Sequence, residues 1–174
     1  MALLQRKLGV TRTGARSQDF EVAASDAWTQ VADDAPLGEG KSLVSWTRLQ
    51  AERDAFLTRA DSIGVVIPND INERDLESLL VFPLIAIQFP KFRDGRGFTF
   101  ARWLRTRWQY EGELRAVGNV LRDQLLFMHR TGFDSFELTQ GKDPNDALRA
   151  FGEQSDFYQA SVDLRTPLWK RVSR

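Results

Sequence analysis

Residues 89–105 read FPKFRDGRGFTFARWLR, and they gather the side chains in this chain best able to handle a charged ligand. Lys91, Arg93 and Arg96 supply cations, Asp94 supplies a carboxylate, and Gly95 and Gly97 leave the backbone free to aim N–H groups outward. A helix starting just beyond adds the positive end of its dipole, so the combination suits an oxyanion or an acidic partner surface. With Thr99 as N-cap, Phe98 packs on Trp103 as a staple, and Arg102 falls at the third helical position. A cation is disfavoured there by roughly 0.3–1 kcal/mol, which a bound anion or Asp94 would offset. DGRG is also an ordinary turn composition, and Asp94 paired with Arg96 is the plainer reading of the same residues. The chain has neither a Walker pattern nor G-x-G-x-x-G, so no nucleotide is implied.

Arg115 and Glu137 form the second candidate group. Each falls inside a strand pattern, where burying a charge is costly unless it is paired. A structural ion pair across adjacent strands is the favoured reading. Asp94 or Glu137 as general acid or base on a bound small anion is the enzymatic alternative. Asp123 at a helix start and His129 in a last helical turn both suit the dipole and read as structural. Phe98, Phe100, Trp103 and Trp108 read as core.

The elements that position these residues follow from periodicity. Strands are expected from near 63 (IGVVIP), 84 (LIAIQFP), 113 (GELRAVG) and 135 (SFEL), alternating with helices at intervals of 21, 29 and 22 residues. That rhythm predicts parallel βαβ units with right-handed crossovers. In GELRAVG, Leu114 and Ala116 oppose Glu113 and Arg115, and in LIAIQFP, Gln88 opposes Ile87 and Phe89. Strands covered on both faces would be almost wholly apolar. The alternation therefore favours a curved, half-(β/α)-barrel-like sheet with one partly polar face, akin to part of a TIM barrel. A small flavodoxin-like doubly wound sheet is the alternative.

Helices are expected from Ser45 as N-cap through Ala60, through ERDLESLL with Leu76, Leu79 and Leu80 inward, over 98–108, from Asn119 to a Gly132 stop, and from Asp143–Pro144. Residues 1–40 read as an irregular segment with short strands in QDFEVA and AWTQVA. Residues 41–156 read as the βα core, and 157–174 as an extended tail burying Leu164, Leu168 and Trp169. One domain of 174 residues is expected.

Composition narrows the chemistry. Lys and Arg total 24 against 24 Asp and Glu, so no net charge favours nucleic acid or a membrane surface. The signs are unevenly spread: residues 19–39 hold six acids and no Lys or Arg, while 88–130 hold nine bases and four acids. There is no cysteine and one histidine, which excludes disulfides, thiolate catalysis, cluster ligation and a His-rich metal site within the chain. No apolar run reaches membrane-spanning length and no signal peptide is evident, so a cytoplasmic location is expected.

FPKFRDGRGFTFARWLR, GELRAVGNVLRDQLLFMHRTGFDSFEL and ADDAPL together resemble a bacterial domain-of-unknown-function family. Its genes often accompany those of assimilatory sulfite reduction, and its members are commonly described as probable oxidoreductases of that pathway. The resemblance runs from about Trp28 into the C-terminal tail. It includes D-G-R-G with an aromatic residue and Ser or Thr (Asp94 to Thr99), G-E-L-R-A (Gly112 to Ala116) and D-Q-L (Asp123 to Leu125). Relatives often carry Cys where this chain has Thr131, which excludes a catalytic thiol at that place. The resemblance implies a role in sulfur assimilation, yet electron transfer needs a carrier and no carrier signature is present. A flavin held without a signature stays compatible with the chain. The leading expectation is an accessory protein that binds a small oxyanion or docks on sulfite reductase or its electron donor. Lys91, Arg93, Asp94, Gly95, Arg96, Gly97, Arg102 and Arg115 would form the binding surface. Open sheet edges permit a homodimer.

Overall fold

The computed structural model describes residues 1–12, 17–91 and 93–171. Eight strands form one sheet: β1 (Leu3–Arg6), β2 (Phe20–Val22), β3 (Trp28–Gln30), β4 (Lys41–Ser45), β5 (Ile63–Ile67), β6 (Leu84–Phe89), β7 (Glu113–Gly118) and β8 (Ser135–Glu137). Their spatial order is β2-β1-β8-β7-β6-β5-β4-β3. From β3 to β8 every neighbouring pair is parallel, whereas β1 runs antiparallel to both β8 and β2.

Each parallel strand is laid beside its predecessor in the same direction. Crossovers of one hand therefore put all the connecting segments on one face. Side-chain alternation records the result. Ile85, Ile87 and Phe89 of β6 enter the main core, while Leu84 and Ala86 join a smaller cluster with Trp28, Leu43 and Val117 on the other face.

The curl follows from chain length. The outermost strands β2 and β3 are joined by residues 23–27 alone. Six residue steps from Val22 to Trp28 reach at most about 20–22 Å. A flat eight-stranded sheet, with seven spacings of ~4.8 Å, would be about 33 Å across. The edges must approach each other, and the sheet curls into the half-barrel that the alternating strand patterns predict.

The four expected strands are present as β5 to β8, and the short strands in QDFEVA and AWTQVA as β2 and β3. β1 and β4 add to them. The helix expected over 45–60 is split into α1 (Trp46–Ala51) and α2 (Arg53–Leu57). Ser45 does cap α1, accepting from Arg48 N at 3.0 Å. The charged run Glu52–Asp54 and exposed Ala55 give the intervening turn little burial to hold it. Residues Glu73–Leu79 form a 3₁₀ rather than an α-helix, which stacks fully buried Leu76 and Leu79 at a spacing of three.

Three more helices follow: α3 (Arg96–Thr106), α4 (Arg122–Thr131) and α5 (Pro144–Arg149). Asp143 and Pro144 start α5 as expected, and Gly132 closes α4 with φ of 116°. Helix α4 begins after Leu121 rather than at Asn119, and the Leu121 N–H donates to Gln124 Oε1 at 3.4 Å. In the tail, Leu168–Arg171 turn into a short α6 and Trp169 is exposed, contrary to the expected burial.

Candidate functional site

The DGRG loop leaves the C-terminal end of β6, and the chain's own chemistry already fills much of it. Arg96 grips the Asp94 carboxylate with two prongs, Nε to Oδ1 at 3.0 Å and Nη2 to Oδ2 at 2.7 Å. The Arg96 backbone N–H also points at Oδ1, at 3.4 Å. These bonds from Arg96 hold the Asp94 carboxyl far below its ordinary range. Asp94 thus supplies the oxygen that begins α3, whose N-cap position is Gly95. The helix consequently starts ahead of the expected Thr99 cap. Arg102 lies beyond the first turn, and the dipole cost expected there does not arise.

The two glycines do different work from that expected. Gly95 has φ of −86°, open to any residue, and a Cβ there would only touch Phe98 at 3.9 Å. Gly97 is buried, and a Cβ would press to 2.7 Å from Phe89 Cζ, so its role is close packing of α3 on β6. Neither opens a cradle of backbone amides.

Lys91 and Arg93 are exposed and make no ion pair among the described residues. Beside the loop, Phe98 leans on Phe89 and on Phe127 of α4, with ring centroids 5.1 Å apart in each case. Phe127 is 55% exposed. Asn69, in the loop after β5, is only 2% exposed, and its Nδ2 meets no full hydrogen bond among the described residues. Its amide still lies near enough to Asp94 to help keep that carboxylate charged. A depression of about 480 Å³ of mixed polar and apolar lining lies at the C-terminal ends of neighbouring strands, bordered by Gln30, Asp33, Ser45, Trp46, Val66 and Gln88.

The remaining candidates lie elsewhere. Arg115 is buried at 2% exposure on the concave face and does not pair with Glu137. It is held by Asp26 from the 23–27 connection, with Nη2–Oδ1 at 3.1 Å, and by Glu113 at 3.0 Å. The register explains the change of partner: Arg115 stands beside Ser135, and Glu137 stands beside Leu3 of β1. Burial works against the Arg115 charge, but the bonds from Asp26 and Glu113 outweigh it and raise its pKa. Arg102 faces a separate cleft at the other end of α3. The expected constellation is therefore dispersed over three places. Only Lys91, Arg93, Asp94, Gly95 and Arg96 share an exposed surface.

Acid–base chemistry by Asp94 is disfavoured, since a carboxylate locked by Arg96 at so low a pKa is a weak proton acceptor. No group of three or more His, Asp or Glu is arranged to hold a metal among the described residues. Among them too, no helix is long and apolar enough to cross a membrane. Thr131 is buried and its hydroxyl donates to Met128 O at 2.9 Å.

One cluster is not singled out by the sequence reading. Asp134, just before β8, accepts from Arg12 Nε at 2.9 Å, Arg6 at 3.0 Å and Leu114 N at 3.1 Å, and pairs with Arg105. These residues are widely separated in the chain; Arg105, Leu114 and Asp134 lie in the segments that carry the family resemblance, but Arg6 and Arg12 do not.

Residues 64–169, 106 of the 174, match the family described as bacterial protein of unknown function (DUF934). No curated protein and no solved structure matches the chain.

Proposed function

Because the chain belongs to that bacterial family of unknown function, we propose that it is an accessory protein of assimilatory sulfite reduction that docks on an acidic partner surface. The partner would be sulfite reductase or its electron donor. The assignment to the pathway rests on the resemblance of the DGRG, GELRA and DQL segments to a family associated with sulfite reduction. Docking rests on one observation: Lys91 and Arg93 stand exposed, without an ion pair among the described residues, on a loop pinned by the Asp94–Arg96 fork, and exposed Phe127 packs on Phe98 just after that loop. An aromatic anchor rimmed by cations is a common interface design. The pinned loop lowers the entropy lost on docking.

The test is co-purification of the tagged chain from cells grown on sulfate. Charge reversal at Lys91 and Arg93 should abolish capture of sulfite reductase or its donor at low salt, with the melting temperature unchanged. Capture that survives both reversals would overturn the reading. Docking should also weaken as ionic strength rises, because exposed charges are screened within about 8 Å at physiological salt.

A small oxyanion such as sulfite at the same loop is the second reading. It is favoured by the buried Asn69 amide, which lies near Asp94 and whose Nδ2 meets no full hydrogen bond among the described residues. Sulfite or sulfate should then raise the melting temperature saturably, and Asn69→Ala should remove that rise.

A further inference from the structure

The base of the half-barrel, at the end opposite the DGRG loop, carries an excess of positive charge among the described residues. Arg6, Arg12, Arg102, Arg105 and Arg165 face three acids, Glu111, Glu113 and Asp134, so five minus three leaves +2. Asp134 is shared among three of these arginines. Glu111 is 86% exposed and its nearest contact is Arg12 at 3.5 Å.

Within this region, a cleft of about 450 Å³ opens between the second half of α3 and the C-terminal segment. Arg105 forms its floor. It is fixed in place by donation to the carbonyls of Gly132 at 3.0 Å, Gly112 at 2.8 Å and Tyr110. Arg102 and Arg165 stand at the rim, exposed, with no carboxylate partner among the described residues. Gln109 adds an amide, and it is the one non-glycine among the described residues with left-handed backbone, at φ of 53°.

Arginines near a helix C-terminus often do no more than balance its carbonyls. Among the described residues neither the Arg102 nor the Arg165 side chain hydrogen-bonds to those carbonyls, and two of the last four already have donors. Arg107 N and Trp108 N donate to Trp103 O, Tyr110 N donates to Leu104 O, and the Thr106 hydroxyl donates to Arg102 O. Arg102 and Arg165 are therefore left over. Their planar forks suit tetrahedral oxyanions, which accept paired N–H bonds. The volume suits a small metabolite rather than a bare ion.

We propose that this cleft is a binding site for a small molecule bearing a phosphate or sulfate ester, with Arg102 and Arg165 gripping the oxyanion above the fixed Arg105. The site is separate from the docking loop and does not depend on the reading given to that loop. Calorimetric titration with inorganic pyrophosphate, at constant ionic strength set with chloride, tests it. One-site saturable binding is expected. Arg102→Gln and Arg165→Gln should each weaken it about ten-fold or more, as loss of a charge-assisted bond does. Both residues are exposed, so the unliganded melting temperature should not move. Lys91→Gln with Arg93→Gln should leave the affinity as it was. No saturable heat, equal affinity in the Arg102→Gln/Arg165→Gln double variant, or loss of binding in the loop variant would each overturn the proposal.

Discussion

Asp134 is the residue whose removal should cost this protein most. Burial pushes its carboxyl up, but Arg105, Arg12 and Arg6 together outweigh burial and hold it below the ordinary range. Asp134→Ala would leave these guanidiniums facing one another, and a loss of about 3–5 kcal/mol is expected from urea denaturation. A depressed carboxylate stabilises the fold above its unfolded pKa of about 3.9 and loses that contribution as pH falls further. Wild-type stability should therefore drop below pH ~4 more steeply than that of Asp134→Asn. His129 acts at milder pH. It is buried against Phe20, at 5.0 Å between rings, with neither ring nitrogen meeting a full hydrogen bond among the described residues, and burial lowers its pKa while Asp163 opposes that shift. The unfolded chain takes up a proton near pH 6.5 that the folded chain refuses, so stability should fall as pH drops below that value. The slope is at most about 1.4 kcal/mol per pH unit. Denaturation at pH 7.5 and 5.5 should show this decline in the wild type and a flatter profile in His129→Phe. Neither environment was legible beforehand. The sequence shows His129 near a helix end, but its aromatic neighbours come from β2 and from the turn after α5.

At the scale of elements, legibility tracked local pattern. Strands β5 to β8 each carry enough alternation or β-branching to be read, and Asp143–Pro144 and Gly132 mark helix ends by chemistry that needs no tertiary context. β1 and β4 escaped notice because LLQR and KSLVS are short, and Ser45 also begins a helix. The DGRG loop was legible as a place but not as a geometry, since Gly95 and Gly97 look alike in sequence and differ only in what lies behind them. The last residue of β7 offers a sharper contrast. Gly118 has φ of 93°, and a Cβ there would lie 2.7 Å from the Phe89 carbonyl oxygen. Gly118→Ala should cost at least about 1–2 kcal/mol from the left-handed backbone alone. Gly95→Ala should fall within ±0.5 kcal/mol, the range of ordinary surface changes. Thermal melts of the two variants provide the comparison.

For the whole molecule, the 23–27 connection and Arg115 set the shape together. The connection joins the two outermost strands, and its Asp26 reaches Arg115 at the centre of the concave face. Asp26→Ala should cost about 1–3 kcal/mol by leaving buried donors short of a partner, with Glu113 still in place to limit the loss. A partly polar concave face was expected from strand alternation, and Arg115 stands there beside the small apolar cluster of Leu84, Ala86 and Val117. The closure of that face by an N-terminal segment was not expected, because nothing in residues 1–40 marks Asp26 as the partner of a residue 89 positions away. The pairing of β1 with β8 also places Leu4 beside Phe136. A ribosome adds roughly 5–20 residues per second. The 115 residues between Val22 and Glu137 therefore take roughly 6–23 s to synthesise at that rate. Through that interval β1 and β2 have emerged without their neighbour, a hairpin too small to be stable alone. The nascent chain thus carries an unsheltered apolar edge until its last strand arrives, and slowed synthesis of the second half should appear as aggregation of the newly made protein.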